Sequence, residues 1–273
     1  MADPVSLVAL GAAIGGAAGK LTECAWDQGA RWVRRLFVDH SDSVRERAEE
    51  NTAKFLYELA LRVSALEHAN HTTPSDVDEA LSHPRFSSLL KQTVLAAAQT
   101  DDATKHRLLA DLVAQRLTVE AESTVALASE LAVSAITRAT AVQLRLLALC
   151  LLLSEIRPER EVDARRYAEW LNQWLQFFEF LEFRQFDAWH LVALACATYQ
   201  EDSGRSLETL FWLNAADVNV DPEFYNGLYG EWLQVAWDEG LAGMRLTTVG
   251  SIVGGLVLAR LTGRDVASPR WDA

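Results

Sequence analysis

Hydrophobic residues recur at intervals of three and four along most of this chain, a spacing typical of amphipathic helices. The first predicted helix runs from about Pro4 to Val38, and the second from Ser41 or Asp42 to about Ala69. Further helices are predicted from Ser75, from His83 to about Gln99, from Asp101 to about Ala139, from Val142 to Leu153, from Glu161 to Phe183, from Phe186 to Tyr199, from Leu207 to Ala215, from Asp221 to about Glu239, and up to Leu261. The pattern predicts an all-α fold.

The pattern changes near residue 205. Residues 218–220 are predicted to be a short strand, and residues 240–250 a short hairpin or extended piece, each between helices. This order of elements is winged-helix-like. We therefore predict three segments: an N-terminal helical segment over 1–70, a central helical bundle over 71–204, and a winged-helix-like segment with its tail over 205–273.

The first twenty residues carry a regular glycine spacing. Gly11, Gly15 and Gly19 fall on one face of the predicted first helix, within the uncharged run Pro4–Gly19. Such a stripe lets another helix approach closely, either in a membrane or inside a soluble bundle, and both alternatives stay open. The flanking residues are of the kinds that anchor helices at a membrane interface: Trp26, Trp32, Arg31, Arg34 and Arg35.

Two further patterns concern packing. Most of the aromatic residues of 170–189 are expected to lie in the core. They exceed what one buried helix face needs, however, and we predict a partner surface at Trp170, Trp174 and Phe177. Gly250 and Gly254 repeat the small-residue spacing in the last helix. Core packing is the favoured interpretation there, and a groove for the first helix is the alternative.

The net charge of the chain limits the kinds of partner that it can bind. The chain has 273 residues and a formal net charge of −13, of which residues 201–273 contribute eleven acids against five bases. No basic footprint for nucleic acid is present, so we expect no nucleic-acid partner. Cys24, Cys150 and Cys196 are far apart in apolar or helical contexts, which indicates buried thiols in a reducing cytoplasm. The acidic start does not favour a signal peptide.

Catalytic motifs are sparse. The chain lacks the phosphate-binding G-x-x-x-x-G-K, the nucleophile G-x-S-x-G and the zinc-binding H-E-x-x-H, and no metal or cofactor is predicted. Arg62 and His68 have the spacing found in HEPN ribonucleases, in which the His does acid/base work and the Arg stabilises phosphate. Arg184 and His190 have the same spacing. The ribonuclease is therefore an alternative, and the leading expectation is no enzyme.

Two resemblances suggest a biological setting. His83-Pro84, Asp101-Asp102, Leu109-ADLVAQRL and Thr140-AVQLRLLAL, with the closing Leu246-Thr-Thr-Val-Gly, resemble the Abi-alpha (abortive infection alpha) group of helical bacterial proteins. The opening Met1-ADPVSLVALGAAIGG resembles HeLo-type or RPW8-type helical killing domains. These resemblances imply bacterial antiphage immunity through cell death or arrest, with no catalytic residue to carry over.

The sequence thus predicts a non-enzymatic, abortive-infection-type defence effector. We expect a homo-oligomer that is cytoplasmic and contacts the inner membrane on activation through its first helix. The two other hypotheses are a HEPN-like ribonuclease at Arg62 and His68, and a non-catalytic adaptor that binds a partner defence protein through the aromatic helices.

Overall fold

A computed structural model of the chain describes residue 9 and residues 13–120, 122–158, 163–179, 181–200, 205–207 and 232–263. The fold is all-α, as the hydrophobic pattern predicts, with one small two-stranded sheet. The chain divides into two compact units, Met1–Thr137 and Arg138–Ala273. The predicted segment borders at residues 70 and 204 therefore lie inside these units.

The first unit is a helical bundle centred on its second helix. Its helices are α1 (Gly16–Leu36), α2 (Asp42–His68), α3 (Pro74–Ser82), α4 (Pro84–Ala98), α5 (Ala103–Arg116) and α6 (Thr124–Arg138). Helix α2 packs against α1, α4 and α5, and it buries Phe55, Leu56, Leu59 and Val63 completely. Helices α1 and α2 therefore share a core with α4 and α5.

Local capping fixes where several of these helices begin. The Thr73 side chain accepts a hydrogen bond from the N–H of Asp76, while the Asp76 carboxylate accepts one from the N–H of Thr73, which closes a capping box before α3. Asp102 caps α5 in a similar way, by accepting from the N–H of Thr104 at 2.8 Å. The predicted starts near Ser75 and Asp101 are confirmed to within two residues.

The second unit joins helices to a short sheet. Its elements are α7 (Ala141–Ser154), α8 (Ala164–Leu175) with a 3₁₀ turn at Gln176–Phe178, α9 (Gln185–Ala193), β1 (Ala197–Tyr199), a π-helical turn at Trp237–Leu241, β2 (Met244–Leu246) and α10 (Thr248–Thr262). Strands β1 and β2 are antiparallel, with Ala197 opposite Leu246 and Tyr199 opposite Met244. The predicted extended piece at 240–250 thus contains a strand, but that strand pairs with a residue run before position 205.

Helix α10 packs on α7 at very short range. A Cβ atom added at Gly254 would lie 2.8 Å from the backbone oxygen of Leu147, closer than such atoms approach in proteins. A Cβ atom at Gly250 would lie 1.9 Å from the backbone oxygen of Cys196. The small residues of the last helix therefore serve core packing within the second unit, the favoured of the two interpretations.

Three helix limits differ from the prediction. The predicted helix over 101–139 is two helices, because Thr118 and Ser123 bond backbone oxygens of their own turn and Ser123 caps α6. The predicted helix over 161–183 gives way after Leu175 to a 3₁₀ turn, and the one over 186–199 ends at Ala193. There Ala195 adopts a left-handed φ of 58°, which a right-handed helix cannot continue.

Two cysteines are inert by burial. Desolvation raises the pKa of Cys150 and that of Cys196 to about 12. Cys24 is half-buried, and its sulfur accepts a hydrogen bond from the side chain of Gln28. All three thiols are free, so the prediction of buried thiols is confirmed for the two in the second unit and holds in part for Cys24.

A first prediction tests the α7–α10 contact. Gly254→Ala should lower the free energy of unfolding by about 2 kcal/mol, since the added methyl meets rigid backbone. Gly255→Ala is the matched control, because its Cβ would lie 3.8 Å from the nearest atom, Leu151 Cδ2, an ordinary contact. Urea unfolding of both variants measures the difference, and equal stability of the two would contradict the packing described.

A second prediction concerns His106, which is buried where α4 ends. Its Nε2 donates to the backbone oxygens of Ala97 and Thr100 at 3.1 and 2.9 Å. Desolvation lowers the pKa of His106 below its ordinary 6.5, so the unfolded chain binds a proton before the folded one does. This site should therefore lose stability as pH falls below 6.5.

The measurement is urea unfolding at a series of pH values. His106→Gln should flatten the pH dependence between 6.5 and the lowered pKa, whereas the variant His71→Gln, at an exposed histidine, controls for the loss of a histidine in general. An unchanged slope in His106→Gln would show that another group is responsible.

Candidate functional site

The glycine stripe of the N-terminus is not a continuous helix face. Gly11 lies outside the described residues. Pro4, the predicted start of the first helix, also lies outside the described residues. Gly15 and Gly16 have φ of 73° and 58°, and α1 begins at Gly16. Left-handed backbone interrupts a right-handed helix, so Gly15 and Gly19 do not share one helix. Gly19 itself is buried within α1.

The start of α1 is held by the end of α2. The backbone N–H of Ala17 donates to both carboxylate oxygens of Glu67, at 3.1 and 3.0 Å. A Cβ at Gly16 would meet the Glu67 carboxylate, and the left-handed φ of 58° at this position favours glycine. The glycine pair thus has a local role: it makes the turn and the space for a carboxylate that stabilises the helix N-terminus.

The predicted interfacial anchors divide between core and surface. Trp26 and Trp32 are half-buried, whereas Arg31, Arg34 and Arg35 are exposed. Leu36 and Val38 are exposed beside the arginines. No helix of the described part of the chain is both long and apolar enough to cross a membrane.

The ribonuclease residues have separate structural partners. Arg62 Nε lies 2.7 Å from Asp111 Oδ1, a carboxylate on α5 whose side chain is 3 % exposed. His68 Nδ1 donates to the Ser64 backbone oxygen of its own helix at 2.7 Å and is exposed. Six residues of helix rotate the two side chains to different faces, so the structure does not bring them together.

The residues of the predicted partner surface are buried or half-buried. Trp174 is 7 % exposed, and Trp170 and Phe177 are half-buried. The exposed aromatic residues come later in the same run: Phe186, at 73 %, and Trp189, at 42 %. Phe186 and Trp189 lie on α9, whereas Trp170 and Trp174 lie on α8, so the exposed part of the aromatic run belongs to a separate helix.

An open groove of about 1620 Å³ lies in the second unit beside Phe186. Its walls come from the start of α7, the end of α8, the extended run before α9, the start of α9, and residues 232–239. The apolar residues that line it are Val142, Leu175, Leu181, Phe183, Phe186, Trp232, Val235 and Ala236. Val235, like Phe186, is exposed, at 57 %. An apolar surface of this kind, rimmed by polar residues, is typical of a protein-binding site.

The rim of the groove is acidic. Glu179, Glu182 and Glu239 line it and are exposed, and none forms an ion pair with another described residue. One guanidinium, that of Arg184, lies among them. Negative charge at the rim disfavours a phosphate backbone and favours a basic ligand.

A hydrogen-bond network fixes one end of the groove. Gln143 Nε2 donates to Asp187 Oδ1 at 2.9 Å, while Asp187 Oδ2 accepts from the N–H of Arg184. Gln143 Oε1 accepts from the N–H of Thr140 and from His190 Nδ1. The buried amide thereby ties the first turn of α7 to the first turn of α9, and these two turns carry the groove residues Val142 and Phe186.

A backbone contact fixes the opposite wall. Arg145, the single charged residue within α7, donates from its guanidinium to the backbone oxygen of Phe177 at 2.7 Å. This bond holds the 3₁₀ turn against α7 and places Glu179 and Leu181 at the groove. In the sequence this arginine indicates only that α7 is not a membrane span.

In the part of the chain that the structure describes, no group of three or more His, Cys, Asp and Glu side chains is arranged to hold a metal ion. The polar residues that line the groove are the carboxylates Glu179, Glu182, Asp187 and Glu239, together with Thr140, Asn172, Gln176, Arg184 and Gln185. The arrangement is suited to binding.

Comparison with known proteins identifies a family but not its function. Residues 19–217 match the model of a protein family whose function is uncharacterised, and since this is well over half of the chain, the protein belongs to that family. No curated protein and no solved structure matches the chain. The matched region includes the groove residues of α7, α8 and α9 but not β2 or α10.

A third prediction tests the network. Asp187→Ala should lower the free energy of unfolding by about 1–3 kcal/mol, because the buried amide of Gln143 loses its acceptor. Asp238→Ala is the control, since this exposed carboxylate accepts only from the side chain of Gln234. Thermal unfolding compares them, and a loss as small as in the control would show that the network does not hold the groove.

Proposed function

We propose that this protein is a non-enzymatic adaptor that binds an amphipathic protein segment in the groove of its second unit. The observation that carries the proposal is the combination of an open apolar groove with three carboxylates that lack ion-pair partners among the described residues. The segment that fits has an apolar face and basic flanks. The resemblance to the Abi-alpha group supports a role in bacterial antiphage defence.

The depth and chemistry of the groove favour binding of protein. A bound segment would cover Phe186 and Val235, which otherwise remain in water, at a gain of roughly 25 cal/mol per Å² of apolar area. Aromatic anchors at the centre of a contact with a charged rim are the usual arrangement of a protein interface. A ribonuclease at Arg184 and His190 is disfavoured, because the same rim repels phosphate.

A membrane-perturbing effector is the second candidate. Its support is the exposed group of Arg31, Arg34 and Arg35 beside Leu36 and Val38, a composition that suits an anionic surface. Gly15 and Gly19 do not add to that support as a pair, since Gly15 precedes α1.

A fourth prediction tests the adaptor. With the photo-reactive amino acid p-benzoylphenylalanine in place of Phe186, irradiation of cells that express the full chain should give discrete covalent adducts with protein. Adding Val235→Glu should abolish them, because it places a carboxylate in the apolar wall. The same photo-reactive residue in place of Leu131, which is 55 % exposed on α6, is the control position.

The adaptor is supported if adducts form at position 186 and disappear with Val235→Glu. Adducts that are equal at positions 186 and 131, or that persist with Val235→Glu, would show that the groove is not a binding site.

A further inference from the structure

We propose that the segment bound in the groove is the turn between α1 and α2 of a second copy of this chain. This inference rests on the adaptor function proposed above and names its partner. The contact joins two different surfaces, the turn of one copy and the groove of the next, so it is heterologous.

The turn between α1 and α2 presents an apolar tip to solvent. Leu36, Val38 and Val44 are 42 %, 61 % and 39 % exposed. They lie where α1 ends and α2 begins, at one end of a pair of helices that pack on each other.

The tip is basic within an acidic chain. Residues 31–47 contain five arginines and three acids, whereas the chain as a whole carries −13. Arg34, Arg45 and Arg47 pair with carboxylates of the first unit. Arg31 bonds only the backbone oxygen of Asp27, and Arg35 forms no ion pair within the described residues. Two guanidinium groups are therefore free to pair with another molecule.

The groove offers an apolar wall and the opposite charge. Its apolar wall at Phe186 and Val235 is bordered by Glu179, Glu182 and Glu239, which have no cationic partner among the described residues. A single contact would bury the apolar tip against the apolar wall and pair the arginines with the glutamates. The remaining, acidic surface of a second copy would be repelled by the same rim.

The test uses full-length variants that change one surface at a time. Arg31→Glu with Arg35→Glu reverses the charge of the tip, and Val235→Glu blocks the groove. Wild-type protein should form dimers and larger species in sedimentation equilibrium at micromolar concentrations, and each variant alone should be monomeric. Circular dichroism verifies that the variants keep their helices.

Mixing the two variants gives the sharpest outcome. The groove-blocked variant retains an intact tip, and the tip variant retains an intact groove, so an equimolar mixture should form a dimer and stop there. The second contact cannot form, because a tip with glutamates would meet a groove with an added glutamate. A mixture that stays monomeric would overturn the proposal.

Reversing the charge of the rim in the tip variant tests whether assembly can be restored. Glu179→Lys with Glu182→Lys, added to the tip variant, should restore the dimers and larger species of the wild type. Two controls should leave assembly unchanged: Lys91→Glu with Arg138→Glu, which makes the same charge change on other exposed positions, and Leu131→Glu, which matches Val235 in exposure. Loss of assembly in the controls would show a non-specific charge effect and overturn the proposal.

Failure of this inference can be distinguished from failure of the adaptor function. If the wild type is monomeric but position 186 still crosslinks to another protein, the proposal of a second copy as partner is overturned. The adaptor function is then still supported. A monomeric wild type without such adducts overturns both. Binding of the monomer to phosphatidylglycerol vesicles that is lost with Arg31→Glu and Arg35→Glu would also overturn the proposal and assign the tip to a membrane surface.

Discussion

The close backbone approach of α10 to α7 is the contact on which the second unit depends. Gly254 lets the two helices meet at Leu147, and Gly250 lets the start of α10 rest on Cys196, just before β1. Thr247 completes this corner by donating from its N–H to the backbone oxygen of Cys196. Since Cys196 closely follows α9, the same corner positions the end of the helix whose first turn forms the groove.

Two kinds of residue form the groove: some have their polar atoms hydrogen-bonded within the protein, and others are exposed apolar or charged residues. Gln143 and Asp187 direct their polar atoms to one another and to backbone groups, so they contribute rigidity and leave nothing for a ligand. Phe186, Val235 and the rim glutamates have no such partners within the described residues. Binding proteins commonly separate a fixed frame from an unsatisfied surface, because a rigid frame lowers the entropy lost on association.

Most helices were predictable because their signals are local. Thr140 at the start of α7, Thr73 before α3 and Asp102 before α5 are capping residues that satisfy N–H groups of the next turn whatever surrounds them. For the candidate site, the sequence predicted an apolar surface but not which residues form it. The aromatic run of 170–189 indicates a surplus of apolar side chains, but the choice of Phe186 over Trp174 as the exposed one depends on where the chain leaves the helix.

The sequence by itself determined the all-α class, the position of most helix starts and the absence of a basic nucleic-acid footprint, since periodicity, capping and net charge need no partner. Tertiary structure alone decided the use of the glycines and the place of the groove. Gly16 admits the distant carboxylate of Glu67, and Gly254 admits the backbone of α7, contacts between residues far apart in the chain. A regular spacing of small residues predicts that another part of the protein approaches closely, and only the packed structure shows which part.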